Sequence, residues 1–181
     1  SIDLPKTMLD SGIIKAGTFF NCSKLSSIEI PDNIATIKSN AFGNCTGVTN
    51  IIVPCDISLM DVPFSNCSNV TKVLLTKGKT SKMIDYSTSS SSGATYNAYQ
   101  CSPWHYAKSG SEVELENGIT NVSQYAFYDS SNLKKIVIPS SVTTIGNSAF
   151  YGCYNFTSMS RTNQGDNILT IPDTITSIGD Y

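Results

Sequence analysis

Apolar residues recur along this chain in a fixed order rather than at the 3.6-residue rhythm of a helix. The order is Leu-x-x-Ile-x-Ile, present as Leu25, Ile28, Ile30; Val48, Ile51, Val53; Val70, Val73, Leu75; and Leu133, Ile136, Ile138. Its closing alternation is that of a half-buried β-strand, whose successive side chains point to opposite faces. Pro31, Pro54 and Pro139 close three of these strands. Proline has no N–H for the next ladder hydrogen bond, so it suits a strand end. A second apolar pair follows, three residues apart: Ile34 and Ile37, Ile57 and Met60, Ile119 and Val122, Val142 and Ile145, Ile175 and Ile178. Gly146 and Gly179 come directly after, which predicts a turn that needs an unusual φ.

Each unit then returns through a Phe with a Cys three residues later. The Phe residues are 19, 42, 64, 127 and 150, at intervals of 23, 22, 63 and 23. Cys22, Cys45, Cys67 and Cys153 take the Cys place, and Ser130 replaces it once. A unit this short cannot bury its own apolar face, but stacked copies can, at the ~4.8 Å strand spacing of a sheet. Terminal units of such a stack need polar caps. Here the chain enters on Ile2-x-Leu4-Pro5 and stops at Ile178-Gly179-Asp180-Tyr181, where the next Ala-Phe is due. A fragment of a longer array is therefore expected.

The motif L-x-x-I-x-I-P-x-x-V-x-x-I-G-x-x-A-F-x-x-C, matched nearly position for position by Leu133 to Cys153, resembles the BspA-like (Treponema pallidum-type) leucine-rich repeat family. The resemblance implies a mainly β, right-handed leucine-rich-repeat solenoid of short strands and turn or 3-10 segments. Residues 1–181 would form a single domain of about seven turns. It also implies an extracellular or cell-surface location and a binding role, often adhesion to host or neighbouring-cell proteins. The repeat motif itself is structural, so it transfers the fold and not the ligand.

Two stretches escape the repeat, roughly 76–112 and 160–168. The 63-residue interval fits a degenerate repeat plus an insertion, with Ala98 in the Phe place, Cys101 in the Cys place and Trp104 in the Leu place. The insertion carries the Ser-rich run 87–93, followed by Tyr96, Tyr99, Trp104, His105 and Tyr106. These rings read either as a binding loop of the residue types favoured at hot spots or as a satellite core over the degenerate repeat. The stretch from Ser160 to Asn167 reads as a polar surface loop.

The strand pattern also defines an outward face. Between the inward positions lie Glu29, Ile52, Leu74, Glu114 and Val137, and two places earlier Ser27, Asn50, Lys72, Glu112 and Lys135. Such a mixed stripe has the form of a partner-binding surface, although β-propensity alone also places Ile and Val outward. The candidate binding residues are Ile52, Leu74, Val137, Lys72, Lys135, Tyr96, Tyr99, Trp104 and Tyr106, facing a protein or alternatively a glycan. The alternative to adhesion is a structural spacer that presents another domain of a longer chain.

Composition narrows the chemistry. The net charge of −2 and the charged fraction of 14% leave no basic stripe for nucleic acid. No apolar run approaches the ~20 residues that span a bilayer. Six cysteines invite a disulfide framework, but their place in the repeat, and its Ser130 exception, favour free, buried thiols. Cys101 and His105 could be drawn as a thiolate–imidazole pair, yet no orienting third group is apparent. One His and no Cys-x-x-Cys give no zinc site, and Glu112, Glu114 and Glu116 alternate along a strand as a solvated edge. Neither catalytic residues, metal nor cofactor is expected, and the chain reads as a non-enzyme.

Overall fold

The structure, a computed structural model, describes residues 10–59, 61–86, 100, 102–156, 158–160 and 168–180. Its strands are β1 (Ile13–Ile14), β2 (Ser27–Glu29), β3 (Thr36–Ile37), β4 (Asn50–Pro54), β5 (Ser58–Leu59), β6 (Lys72–Thr76) and β7 (Ser111–Leu115). They continue as β8 (Asn121–Val122), β9 (Leu133–Val137), β10 (Thr144–Ile145), β11 (Ser158–Ser160), β12 (Ile168–Thr170) and β13 (Ser177–Ile178). A seven-stranded parallel sheet runs in the order β2-β4-β6-β7-β9-β12-β11. Two three-stranded parallel sheets, β1-β3-β5 and β8-β10-β13, collect the second apolar pairs. The chain is thus a mainly β, leucine-rich-repeat solenoid, as the repeat requires.

The register is the repeat. Ile28, Ile51, Val73, Val113, Ile136 and Leu169 stand opposite one another along the large sheet. All six are buried, so one inward row runs the length of the sheet. On the other side Ile37 pairs with Ile14 and Leu59, and Ile145 with Val122 and Ile178. Leu59, not the expected Met60, is the partner of Ile37. The unit ending at Phe64 is one residue short, which moves the inward position back by one; Met60 itself lies outside the described residues.

Between the sheets the aromatic rings form columns. Phe19, Phe42 and Phe64 stack with centroids 5.1 and 5.5 Å apart and near-parallel planes. Phe127 and Phe150 repeat the arrangement at 5.4 Å. Offset ring stacking adds to the burial of each ring.

In five units two backbone positions are left-handed, one two residues before the Phe and one two residues after. The first are Gly17, Asn40, Val62, Tyr125 and Ser148, and the second Asn21, Asn44, Asn66, Asp129 and Gly152. Asn, Asp and Gly tolerate this region best. Val62, β-branched at φ 50°, is the costly exception. Neither Gly146 nor Gly179 has the unusual φ expected of it; in the turn after Gly146 it falls on Ser148 and Gly152. Those glycines are needed for a different reason. A Cβ at Gly146 would sit 2.8 Å from Gln124 Cα, and one at Gly179 2.8 Å from Asn147 Cα. The turns nest against each other too closely for a side chain.

The degenerate unit is also corrected. Trp104 lies one full repeat before Phe127 and takes the Phe place rather than the Leu place. Its indole lies 5.2 Å from the Phe127 ring and Tyr86 meets it edge-on at 6.0 Å. Ala107 occupies the Cys place, its N–H bonded to Trp104 O at 3.3 Å as Cys45 N–H is to Phe42 O. Ser111 stands opposite Leu133, in the Leu place, with a register shift between Ser111 and Glu112. Ala98 and Cys101 lie outside the described residues. On either side of that stretch Met83, Tyr86 and Ser102 are buried.

The second break behaves as an insertion of about ten residues into one repeat, since Leu169 of β12 stands opposite Ile136 of β9. Part of the expected surface loop is strand, because β11 adds to the sheet beyond β12. Residues 161–167, like the expected entry strand at residues 1–5, fall outside the described residues.

Candidate binding surfaces

The large sheet places the outward residues as the sequence predicts. Glu29, Ile52, Leu74, Glu114 and Val137 stand in one register row. Ser27, Asn50, Lys72, Glu112 and Lys135 form the row beside it. Ile52, Leu74 and Val137 are half-buried and Lys72 is exposed. The face carries an ion pair of its own: Lys72 Nζ lies 3.1 Å from Glu114 Oε2, one strand over, with both side chains about half exposed. A pair this wet contributes at most ~1 kcal/mol to stability. It holds Lys72 over the next strand and leaves Ile52 and Leu74 adjacent as an apolar centre.

One of the insertion's candidate rings is buried. Trp104 is 1% exposed, and its Nε1–H donates to Ala126 O at 3.0 Å. It is a core ring and presents nothing to a partner, so the packing reading of this residue holds. Tyr106 remains half-exposed, with His105 edge-on to it at 4.9 Å. Burial holds His105 below the usual imidazole range, and Asp129 opposes that shift. Tyr96 and Tyr99 lie outside the described residues, as does Cys101, the suggested partner of His105.

The thiols read as fold elements. Cys22, Cys45, Cys55, Cys67 and Cys153 are free. Cys45, Cys67 and Cys153 Sγ donate to the carbonyls of Phe19, Phe42 and Phe127, at 3.2, 3.2 and 3.0 Å. Each thiol therefore ties its turn to the one before. Burial pushes the Cys55 thiol up to about 11 and the Cys67 and Cys153 thiols up to about 12, against thiolate chemistry. Among the described residues no group of three or more His, Cys, Asp or Glu could hold a metal ion. No helix among them is long and apolar enough to cross a membrane.

Two features go unread in the sequence. Asn69, Asn132 and Asn155, just before the Leu place, cap the neighbouring turn through their side-chain amides. Asn69 Nδ2 reaches Thr46 O at 2.7 Å, Asn132 Nδ2 reaches Trp104 O at 2.7 Å, and Asn155 Nδ2 bonds Ser131 O. Tyr128 and Tyr151, one after the Phe, stack at 5.0 Å on the turn edge, where Tyr151 and Tyr154 are exposed. In both cases the signal is a repeat-spaced polar or aromatic residue outside the inward pattern.

This geometry defines a leucine-rich-repeat solenoid. The chain belongs to the BspA-type leucine-rich repeat family: the family model of the BspA type leucine rich repeat region matches six copies over residues 1–98 and 102–181. No curated protein matches the chain. Among solved structures it is similar to a leucine-rich repeat protein from Eubacterium ventriosum, at 17% identity and TM-score 0.47, covering 86% of this chain and 41% of that one. It is also similar to one from Bacteroides ovatus, at 21% identity and TM-score 0.45, covering 92% and 48%. A third is a leucine rich cell surface protein from Faecalibacterium prausnitzii, at 18% identity and TM-score 0.32, covering 86% and 44%. The chain spans less than half the length of each.

Proposed function

We propose that this chain is a non-enzymatic interaction module, displayed at the cell surface or secreted, that adheres to host or neighbouring-cell proteins. The observation that carries the reading is the outward row of the large sheet, where Ile52 and Leu74 adjoin between Glu29 and Glu114. An apolar centre with a charged rim is the usual anatomy of a protein interface. Ile52, Leu74 and Val137 supply apolar contact, while Lys72 and Lys135 supply charge. In this reading the 76–112 insertion adds Tyr96, Tyr99 and Tyr106 to the contact set. Membership of a family of repeat-built binding modules supports the same reading.

The test replaces Ile52, Leu74 and Val137 with Ser and measures retention on immobilised host-protein and cell-wall extracts. Apolar anchors are commonly worth more than ~1 kcal/mol each, so the triple variant should bind at least ~tenfold more weakly with its circular dichroism unchanged. Unchanged binding by a folded triple variant would remove the sheet face from the proposal.

A further inference from the structure

The turns around Phe127 and Phe150 depart from the repeat in one direction. Two residues before the Phe, other units place Gly17, Asn40, Val62 or Ser148, and this edge has Tyr125. One residue after it, the first three units place Phe20, Gly43 and Ser65, and this edge has Tyr128 and Tyr151. Four residues after it, the others place Ser23, Thr46, Ser68 and Ser131, and this edge has Tyr154. Two residues after it, the left-handed place of Asn21, Asn44, Asn66 and Gly152 is taken by Asp129. The core demands none of this. Tyr151 is 50% and Tyr154 78% exposed, and Tyr125 and Tyr128 are half-buried. Asn adopts the same left-handed φ in three other turns, so the backbone does not require the charge of Asp129. Rings and a carboxylate that the fold does not need, gathered on one exposed edge, have the form of an interaction surface.

The edge is also ordered. Tyr128 and Tyr151 stack at 5.0 Å with planes 14° apart, and Tyr125 meets Tyr128 edge-on at 5.5 Å. The Asp129 N–H donates to Tyr151 O at 2.7 Å. A Cβ at Gly152 would lie 3.1 Å from Asp129 Oδ1, so the carboxylate hangs over the turn that carries Tyr151. Asp129 is exposed, and it is the one charged residue of 124–132 and 147–156. Burial keeps the neighbouring His105 neutral, so the imidazole does not answer the carboxylate. Among the described residues no cation forms an ion pair with Asp129.

That chemistry selects its occupant. An anionic partner is repelled by Asp129. A wholly apolar one would cover the carboxylate and leave it unpaired, which is costly. A cation satisfies both features, because the face of a tyrosine ring attracts positive charge. Guanidinium fits better than ammonium: it is planar, weakly hydrated, stacks on aromatic faces and donates to a carboxylate from its edge. We infer that this edge docks an arginine-bearing segment of a protein partner, its guanidinium lying on Tyr151 and paired with Asp129. The edge is built from turns and not from the outward row of the sheet, so neither surface requires the other.

The test is fluorescence anisotropy of the full chain with three labelled peptides, in which Gly alternates with Arg, Lys or Gln. The arginine peptide should bind at least ~threefold more tightly than the lysine peptide, and the glutamine peptide least of all. Asp129→Asn and Tyr151→Ala should each weaken the arginine peptide at least ~threefold with circular dichroism unchanged. Asp129→Asn installs the residue that three other turns already carry, so its fold is secure. Should Tyr151→Ala disturb the fold, Tyr151→Leu removes the ring and keeps the bulk, and decides in its place. Asp32→Asn, an equal loss of charge at an exposed place in the first units, should leave binding unchanged. The inference is overturned if the arginine peptide does not bind, or binds no better than either of the others. It is equally overturned if either edge variant binds it as tightly as the native chain, or if Asp32→Asn weakens it as much as Asp129→Asn, since the attraction would then be to net charge alone.

Discussion

A volume exchange between the large Trp104 and the small Ser111 of one unit is expected, and it can be measured. The indole fills a place that other units give to Phe, and a hydroxymethyl group stands where they place Leu, Val or Phe. Trp104→Phe removes the hydrogen bond to Ala126 O, worth ~1 kcal/mol. It also empties space of roughly one small ring, ~1 kcal/mol at the usual cavity cost. A loss of ~2 kcal/mol is expected from these two terms together. Ser111→Leu alone gains ~2 kcal/mol from apolar burial and removes a buried, unbonded Oγ, but crowding costs it ~1–3 kcal/mol. In the Trp104→Phe background the crowding is relieved, so the same change should stabilise by ~2 kcal/mol or more. Urea unfolding of the four proteins gives the double-mutant cycle. A coupling of at least ~1 kcal/mol in favour of the double variant is expected, as for side chains that share one space. Additivity within ~0.5 kcal/mol, the behaviour of distant sites, would refute the exchange and show the two positions to be independent.

Other outcomes follow from the same geometry. In native protein at mildly alkaline pH, iodoacetamide should modify exposed Cys22 first, and Cys45, Cys55, Cys67 and Cys153 only after denaturation, as read by mass spectrometry. The buried thiols hold their protons more tightly folded than unfolded. Their contribution to stability is thus complete below about pH 9 and is lost as pH rises through about 11 to 12, so Cys67→Ser should raise the midpoint of alkaline unfolding. Gly146→Ala should lower stability by ~1–3 kcal/mol despite its ordinary φ, whereas Gly17→Asn, in open space at φ 65°, should change it by less than ~1 kcal/mol in a thermal melt. Lys72→Ala should cost no more than ~1 kcal/mol in urea unfolding while weakening partner retention, because its ion pair is half in water.

The parts of the fold written in period are legible; those written in identity are not. The outward row from Glu29 to Val137 is readable because a strand alternates faces and the spacing of the units sets the register. The same ruler, laid back one repeat from Phe127, gives Trp104 as the Phe equivalent. Aligning on Cys101 as a residue type puts the Phe place at Ala98, six places away from it. The glycines mislead differently. Gly146 and Gly179 look like backbone devices, yet what excludes a side chain there is the neighbouring turn, which a single unit's sequence does not contain. A shallow hollow lined by Asp85, Gln124 and Asn147 is invisible for the same reason: those residues meet only across three stacked units.

The uniform register has a kinetic consequence. Three of the six neighbouring strand pairs of the large sheet join residues 22 or 23 apart, so each of those turns closes a loop of the same modest length on a surface already formed. Growth from either side of an initial pair should then proceed turn by turn, with a rate that hardly depends on how many units the array holds. The step that brings Glu112 beside Lys72 is the long one, not quite twice the usual length. Loop-closure entropy rises only with the logarithm of length, so that step costs about 0.5 kcal/mol more than its neighbours. A solenoid of this kind can lengthen one turn to carry new side chains while its assembly is slowed by little more than a factor of two.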